Sequence, residues 1–341
     1  MANILRRPGW RISERHVTPE RSFLKRREFL KQMGFSSAGL LALSVAGCSK
    51  ASDSTAATAA PPVPAPSNPV PVETNTAATA TSKVFPAPRN PRFNPAWQLS
   101  DEKVAGRYNN FYEFSTAKDL VYRLTGKFIT SPWPVEITGL VEKPVTLDVQ
   151  ELVNEMELEE RVYRFRCVEA WAMIVPWTGF PLQKLIAKVV PKPEAKFVRF
   201  VTFMRPDQAP GFRELSDYPW PYTEGLRLEE AMNPLTLVAT GIYGKPLPKQ
   251  HGAPVRIVVP WKYGYKSIKS VVKIEFTDKQ PATLWETLAP IEYPFESNVN
   301  PAKRHPRWSQ ETERMIDTGD RVRTQPFNGY GAYVANLYPK V

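Results

Sequence analysis

Cysteine and histidine are nearly missing from this chain. Two cysteines, Cys48 and Cys167, and three histidines, His16, His251 and His305, stand among 341 residues. That is too few for a zinc cluster, and no CxxCH spacing offers a haem attachment. A metal here has to be held mainly by something other than side chains. Acidic residues are also outnumbered, 34 Asp+Glu against 45 Lys+Arg, for a net charge of +11. Such an excess normally raises nucleic acid or an anionic surface as a partner. Its placement argues otherwise, because residues 1–47 carry nine Lys/Arg against three Glu, a net +6, which leaves +5 for everything after. The excess belongs largely to a leader, and no nucleic-acid partner is expected.

What is present begins with that leader. A basic stretch from Ser22 precedes a mildly apolar run of about fifteen residues, broken by Gly34, Ser36, Ser37, Gly39 and Ser44 and too short to span a membrane. Arg26-Arg27-Glu28-Phe29-Leu30-Lys31 fits the twin-arginine (Tat) export pattern, with Lys25 where Ser or Thr is commoner. The Tat machinery carries folded proteins, often with a cofactor already inserted, so a cofactor is expected. Val45-Ala46-Gly47-Cys48 resembles a lipobox, which would anchor the chain through a lipid on Cys48; cleavage by ordinary signal peptidase near here is the alternative. Residues 1–48 are therefore read as the signal segment of a periplasmic protein.

Residues 49–84 form an Ala/Pro/Thr-rich linker. Between 51 and 82, 25 of 32 residues are Ala, Pro, Thr or Ser and none is aromatic, so no core can form. The prolines from Pro61 to Pro71 favour an extended spacer.

From residue 85 to 341 the composition becomes that of a folded body, with every tryptophan but Trp10. Residues 135–141 and 145–147 alternate as a hairpin around Glu142-Lys143-Pro144, and Asp148 opens a helix to Met156. Further strands are expected at 161–168, 196–203, 236–243, 255–260 and 270–276, and a helix after Pro181. Without a regular βαβ cadence, the fold class is α+β in a single domain. On period 2, Tyr163, Phe165 and Cys167 share one face and Arg164 and Arg166 the other.

The motifs are specific. Cys167-Val168-Glu169-Ala170-Trp171, followed by Val175-Pro176-Trp177-Thr178-Gly179-Phe180-Pro181-Leu182, resembles the cysteine segment of the sulfite-oxidase superfamily of molybdenum enzymes. A soft thiolate suits such a metal. The run from His251 to Gly264, with Ser267-Ile268-Lys269, resembles the pterin-phosphate region of that superfamily, where Arg256 can fork onto a phosphate and Lys269 adds a point charge. With Asn109-Asn110-Phe111-Tyr112-Glu113-Phe114 upstream, residues 85–341 resemble the periplasmic protein-methionine-sulfoxide reductases, the MsrP or YedY family.

The resemblance implies a molybdenum-molybdopterin cofactor with Cys167 as metal ligand. It also implies that Asn109, Tyr112, Glu113, Thr202, His251, Arg256, Ser267, Ile268 and Lys269 hold the pterin. His251 stands where the family pattern has Asn, which makes that contact pH-sensitive. The implied activity removes oxygen from methionine sulfoxide in oxidised periplasmic proteins, with electrons from a membrane haem subunit of the MsrQ type. Trp171, Trp177, Trp261 and Tyr263 are candidates to line an apolar mouth or to pack in the core. The nearest rival is an enzyme acting on sulfite or on another small S- or N-oxide. Sulfite needs arginines at the metal, and alternation turns Arg164 and Arg166 away from Cys167.

Overall fold

A computed structural model describes residues 85–338; the leader, the lipobox and the whole linker lie outside them. In chain order the strands are β1 Pro134–Gly139, β2 Val145–Asp148, β3 Glu159–Arg166, β4 Trp171–Pro181, β5 Phe197–Thr202, β6 Thr223–Arg227, β7 Leu237–Ile242, β8 Lys245–Pro246, β9 Arg256–Val258, β10 Val271–Thr277, β11 Thr312–Met315 and β12 Arg321–Arg323. They make two sheets. One runs β2-β1-β10-β5-β6; the other runs β12-β11-β4-β7-β8, with β3 paired to β4 and β9 to β7. Short helices fill the connections, so the α+β expectation holds, with mixed parallel and antiparallel pairing.

The β1–β2 hairpin forms as alternation predicts, Val135 facing Leu147 and Ile137 facing Val145. Asp148 then caps the helix Val149–Glu155 by accepting from the backbone N–H of Gln150. Strand β4 is not among the strands expected from the sequence, and it carries Pro176, Gly179 and Pro181, residue types that disfavour a strand interior. The local sheet explains how it survives. A bulge between Thr178 and Gly179 shifts the register against β7, and a Cβ at Gly179 would sit 2.0 Å from the Val238 carbonyl oxygen. Glycine is required there because the two backbones are too close for any side chain.

β4 is the hub of the larger sheet. β3 runs antiparallel along it from Glu159 to Arg166, and β11 pairs parallel with Trp171 and Ala172 at its start. The turn between β3 and β4 therefore holds Cys167 at one end of the hub, just past the strand rather than within it.

A cluster of edge-to-face and tilted aromatics ties the segment 109–114 to the smaller sheet. Phe111 meets Phe114 at 4.9 Å, Phe114 meets Phe128 at 5.4 Å, and Phe128 meets Phe203 at 4.5 Å, all buried. Such pairs add roughly 0.5–1.5 kcal/mol each beyond burial. With Phe111 and Phe114 committed to the core, the intervening Tyr112 and Glu113 line the cleft described below. Among the described residues no helix is long and apolar enough to cross a membrane.

Candidate active site

One cleft collects nearly all the residues singled out from sequence. Asn109, Tyr112, Glu113, Cys167, His251, Arg256, Ser267, Ile268 and Lys269 all line it. Thr202 does not. It is buried behind the cleft, its hydroxyl facing the carbonyl oxygens of Lys269 at 2.8 Å and Ser270 at 3.1 Å, so it braces the Lys269 turn. Of the four aromatic candidates Trp171 alone lines the cleft; Trp177 and Trp261 are core, and Tyr263 faces a second cleft.

Cys167 is a free, buried thiol. Asn110 Nδ2 lies 3.4 Å from its sulfur and the backbone N–H of Glu169 donates to it at 3.5 Å. Glu169 Oε2 stands 3.7 Å from the sulfur, where it accepts from Asn110 Nδ2 at 3.2 Å and Trp171 Nε1 at 3.1 Å and pairs with Lys118 Nζ at 3.2 Å. Burial, then the Glu169 charge, pushes the thiol well above its ordinary range. A bound cation reverses that balance, since a coordinating thiol is deprotonated outright.

The opposite wall is basic. Arg256, 1% exposed, donates through Nη1 to the His251 carbonyl and through Nη2 to the Ser267 carbonyl, both at 2.9 Å, while its Nε has no partner. Its guanidinium lies 4.8 Å from the Trp177 ring centre. Burial draws its pKa down to about 9, so it stays charged near neutrality. Lys269 Nζ donates to the Asn110 carbonyl at 2.6 Å, and burial and the nearby Arg256 pull its pKa down, while burial raises that of Glu113. Gly252 permits this layout: with φ +95° it turns the chain after His251, and a Cβ there would strike Lys269 Cβ at 2.6 Å.

His251 departs from the pH-sensitive contact expected of it. Burial first, then the charges of Arg256 and Lys269, lower its pKa to about 3, so the ring is neutral at ordinary pH. Asn109 Nδ2 lies 3.4 Å from Nδ1; donation there leaves the ring proton on Nε2.

These features fit a polar, anionic cofactor. Asn109 Oδ1, Asn110 Oδ1 and Arg256 Nε are buried without partners, and Arg256 and Lys269 are buried in the same cleft as the Glu113 carboxyl, whose own pKa is raised. Among the described residues no group of three His, Cys, Asp or Glu gathers to hold a metal by itself. Arg164 and Arg166 turn away, as alternation implied: both bind the buried carboxylate of Glu313, at 2.5 Å and 2.8 Å.

A model of the oxidoreductase molybdopterin binding domain matches residues 124–285. The protein-methionine-sulfoxide reductase catalytic subunit MsrP of Xanthomonas campestris is 46% identical over 328 residues, covering 94% of this chain and 93% of its own. The chain belongs to the MsrP family. The MsrP proteins of Burkholderia mallei and Gluconobacter oxydans are each 51% identical, over 76% and 77% of this chain and 79% and 85% of theirs. A solved sulfane dehydrogenase, SoxCD of Paracoccus pantotrophus, aligns over 54% of each chain at 19% identity with a TM-score of 0.38, too slight a likeness to build on.

Sequence reasoning left out several lining residues that the MsrP-type cleft uses. Asn110 is the clearest: neighbours on an extended strand face opposite ways, but residues 109 and 110 belong to no strand, and Asn109 and Asn110 both line the cleft. Tyr108, Tyr222, Trp285 and Tyr293 complete an aromatic rim, with Trp285 5.1 Å from Tyr112 and 5.0 Å from Tyr293. No spacing in the sequence marks Trp285 or Tyr293 for this place.

Proposed function

We propose that this chain reduces methionine sulfoxide in periplasmic proteins, after Tat export, with electrons delivered by a membrane haem subunit of the MsrQ type. The observation that carries the reading is a single thiol, Cys167, set between a carboxylate and an aromatic rim on one side and buried cations on the other. When bound, a molybdopterin supplies two-electron oxygen-atom transfer. Arg256 and Lys269 would hold its phosphate, and Asn109, His251, Tyr112 and Glu113 its polar edge, with the backbone around Ser267 and Ile268 closing over it.

The substrate side belongs to Glu169 and the aromatics. Glu169 Oε2, which accepts from Asn110 and Trp171 and pairs with Lys118, is placed to relay a proton, taken up from solvent, towards an oxygen leaving the sulfoxide. A carboxylate at that spot also disfavours a sulfite dianion, and Arg164 and Arg166, both turned onto Glu313, do not reach the metal side to attract one. Tyr108, Trp171, Trp285 and Tyr293 offer a methionine side chain apolar walls and sulfur–aromatic contacts. Arg26 and Arg27 support export, and the spacer of residues 49–84 suits a body that must reach a membrane donor.

The test sets reoxidation of a reduced dye by sulfoxide-containing peptides beside reduction of an acceptor by sulfite, using purified protein of measured molybdenum content. Peptide-dependent turnover with negligible sulfite oxidation is expected. Fast sulfite turnover with no peptide activity reverses the assignment.

A further inference from the structure

The Cys167 turn is gripped from outside the cleft by residues 308–314, which no motif singled out and which lie beyond the matched domain. The carbonyl of Val168 accepts two hydrogen bonds, from Trp308 Nε1 at 2.7 Å and from Gln310 Nε2 at 2.8 Å. Gln310 cannot swing freely, because its Oε1 accepts from Arg166 Nη2 at 2.8 Å, which fixes which end of the amide faces Val168. Arg166 in turn donates through Nη1 to the Cys167 carbonyl and through Nε to Glu313 at 2.8 Å. Ala170, held in the left-handed region at φ 63°, is secured by the Arg314 N–H on its carbonyl at 3.0 Å.

The peptide joining Val168 to Glu169 is planar and trans, so its C=O and N–H point in opposite directions. Its carbonyl end is pinned by Trp308 and Gln310. Its N–H end meets Cys167 Sγ at 3.5 Å. Hydrogen bonding to a ligating cysteine sulfur is a known lever on a metal's potential.

We infer that Trp308 and Gln310 are positioning residues for the ligand sulfur: by pinning the Val168 carbonyl they aim the Glu169 N–H at Cys167 Sγ and so set how strongly that sulfur donates to the metal. This rests on Cys167 being the ligand. Without the pin the peptide is free to rotate, the N–H leaves the sulfur, and the sulfur becomes the stronger donor. A stronger donor favours the oxidised metal, so the potential falls.

The experiment uses full-length holoprotein with Trp308→Phe, Gln310→Met and the two combined. Trp308→Phe removes the N–H donor but keeps a ring over His305, on which Trp308 stacks at 4.0 Å, so this variant retains the local packing. The readouts are molybdenum content, the electron paramagnetic resonance spectrum of the half-reduced metal, and the midpoint potential. Expected are full metal content, a changed spectrum, a lowered potential that falls further in the double variant, and a reduced kcat with KM for peptide unchanged. A native spectrum and potential in both single variants overturns the inference, whatever the double variant does. Native protein that binds no molybdenum overturns instead the ligand reading on which it rests.

Discussion

Glu313→Ala is the most demanding perturbation this structure offers away from the cleft. Glu313 is wholly buried and its carboxylate serves three donors: Arg164 Nη2 at 2.5 Å, Arg166 Nε at 2.8 Å and Thr324 Oγ1 at 2.9 Å. Arg166 is as buried as Glu313, whereas the Arg164 side chain keeps 13% of its exposure and can recover some hydration. The main loss is therefore one unpaired buried guanidinium. Breaking a buried pair by deleting one partner costs about 3–5 kcal/mol. In a domain of roughly 250 residues each kcal/mol moves the melting temperature by about 2–4 °C, so the variant should melt ~6–20 °C lower. Glu313→Gln keeps an acceptor and should lose less. Adding Arg166→Met to Glu313→Ala should recover part of the loss, because the orphaned charge is gone. Thermal denaturation followed by circular dichroism measures all three. A Glu313→Ala protein melting within ~2 °C of the parent refutes the reasoning, since a charge left bare in the interior cannot be so cheap.

Cys167→Ser should leave the fold and melting behaviour close to the parent while abolishing sulfoxide reduction, a hydroxyl being a poor ligand for this metal; an active serine variant removes Cys167 from the ligand role. In cofactor-free protein His251 has its pKa lowered from 6.5 to about 3, so the unfolded chain takes up a proton in that window and the folded one does not. Its contribution is thus complete above pH 6.5 and is lost as pH falls towards 3, at about 1.4 kcal/mol per pH unit, and His251→Asn should flatten the fall in melting temperature between pH 6 and pH 4. An equally steep fall in the variant shows that other groups set the slope. Replacing Arg26 and Arg27 together by Lys should leave the protein in the cytoplasm on fractionation; unchanged export points to the general secretory route.

The elements legible in the sequence are those whose pattern is local. The β1–β2 hairpin, the Asp148 cap and the strands around 197–202, 237–242 and 271–277 follow from alternation and turn chemistry within a few residues. The hub strand β4 was hidden because its prolines and Gly179 are accommodated by a bulge and a close neighbour, neither of which shows in one segment alone. Within the cleft, charge and thiol chemistry made Cys167, Arg256 and Lys269 visible. Thr202 carries the right residue type but points its hydroxyl at the backbone of Lys269 and Ser270. Glu313 and Gln310 were beyond reach, because their significance exists only once Arg166, some 145 positions earlier, has folded beside them.

That separation has a consequence for the order of events during synthesis. The turn bearing Cys167 is tied down by Trp308, Gln310 and Arg314, which leave the ribosome about 140 residues after it. Contacts that distant close late, since the loop entropy has to be overcome first. Until they do, the turn bearing the sulfur is held by its own β3–β4 pairing alone. The lining of the cleft ends at Tyr293, so a chain ending before residue 308 keeps every lining residue but lacks the ties behind the sulfur.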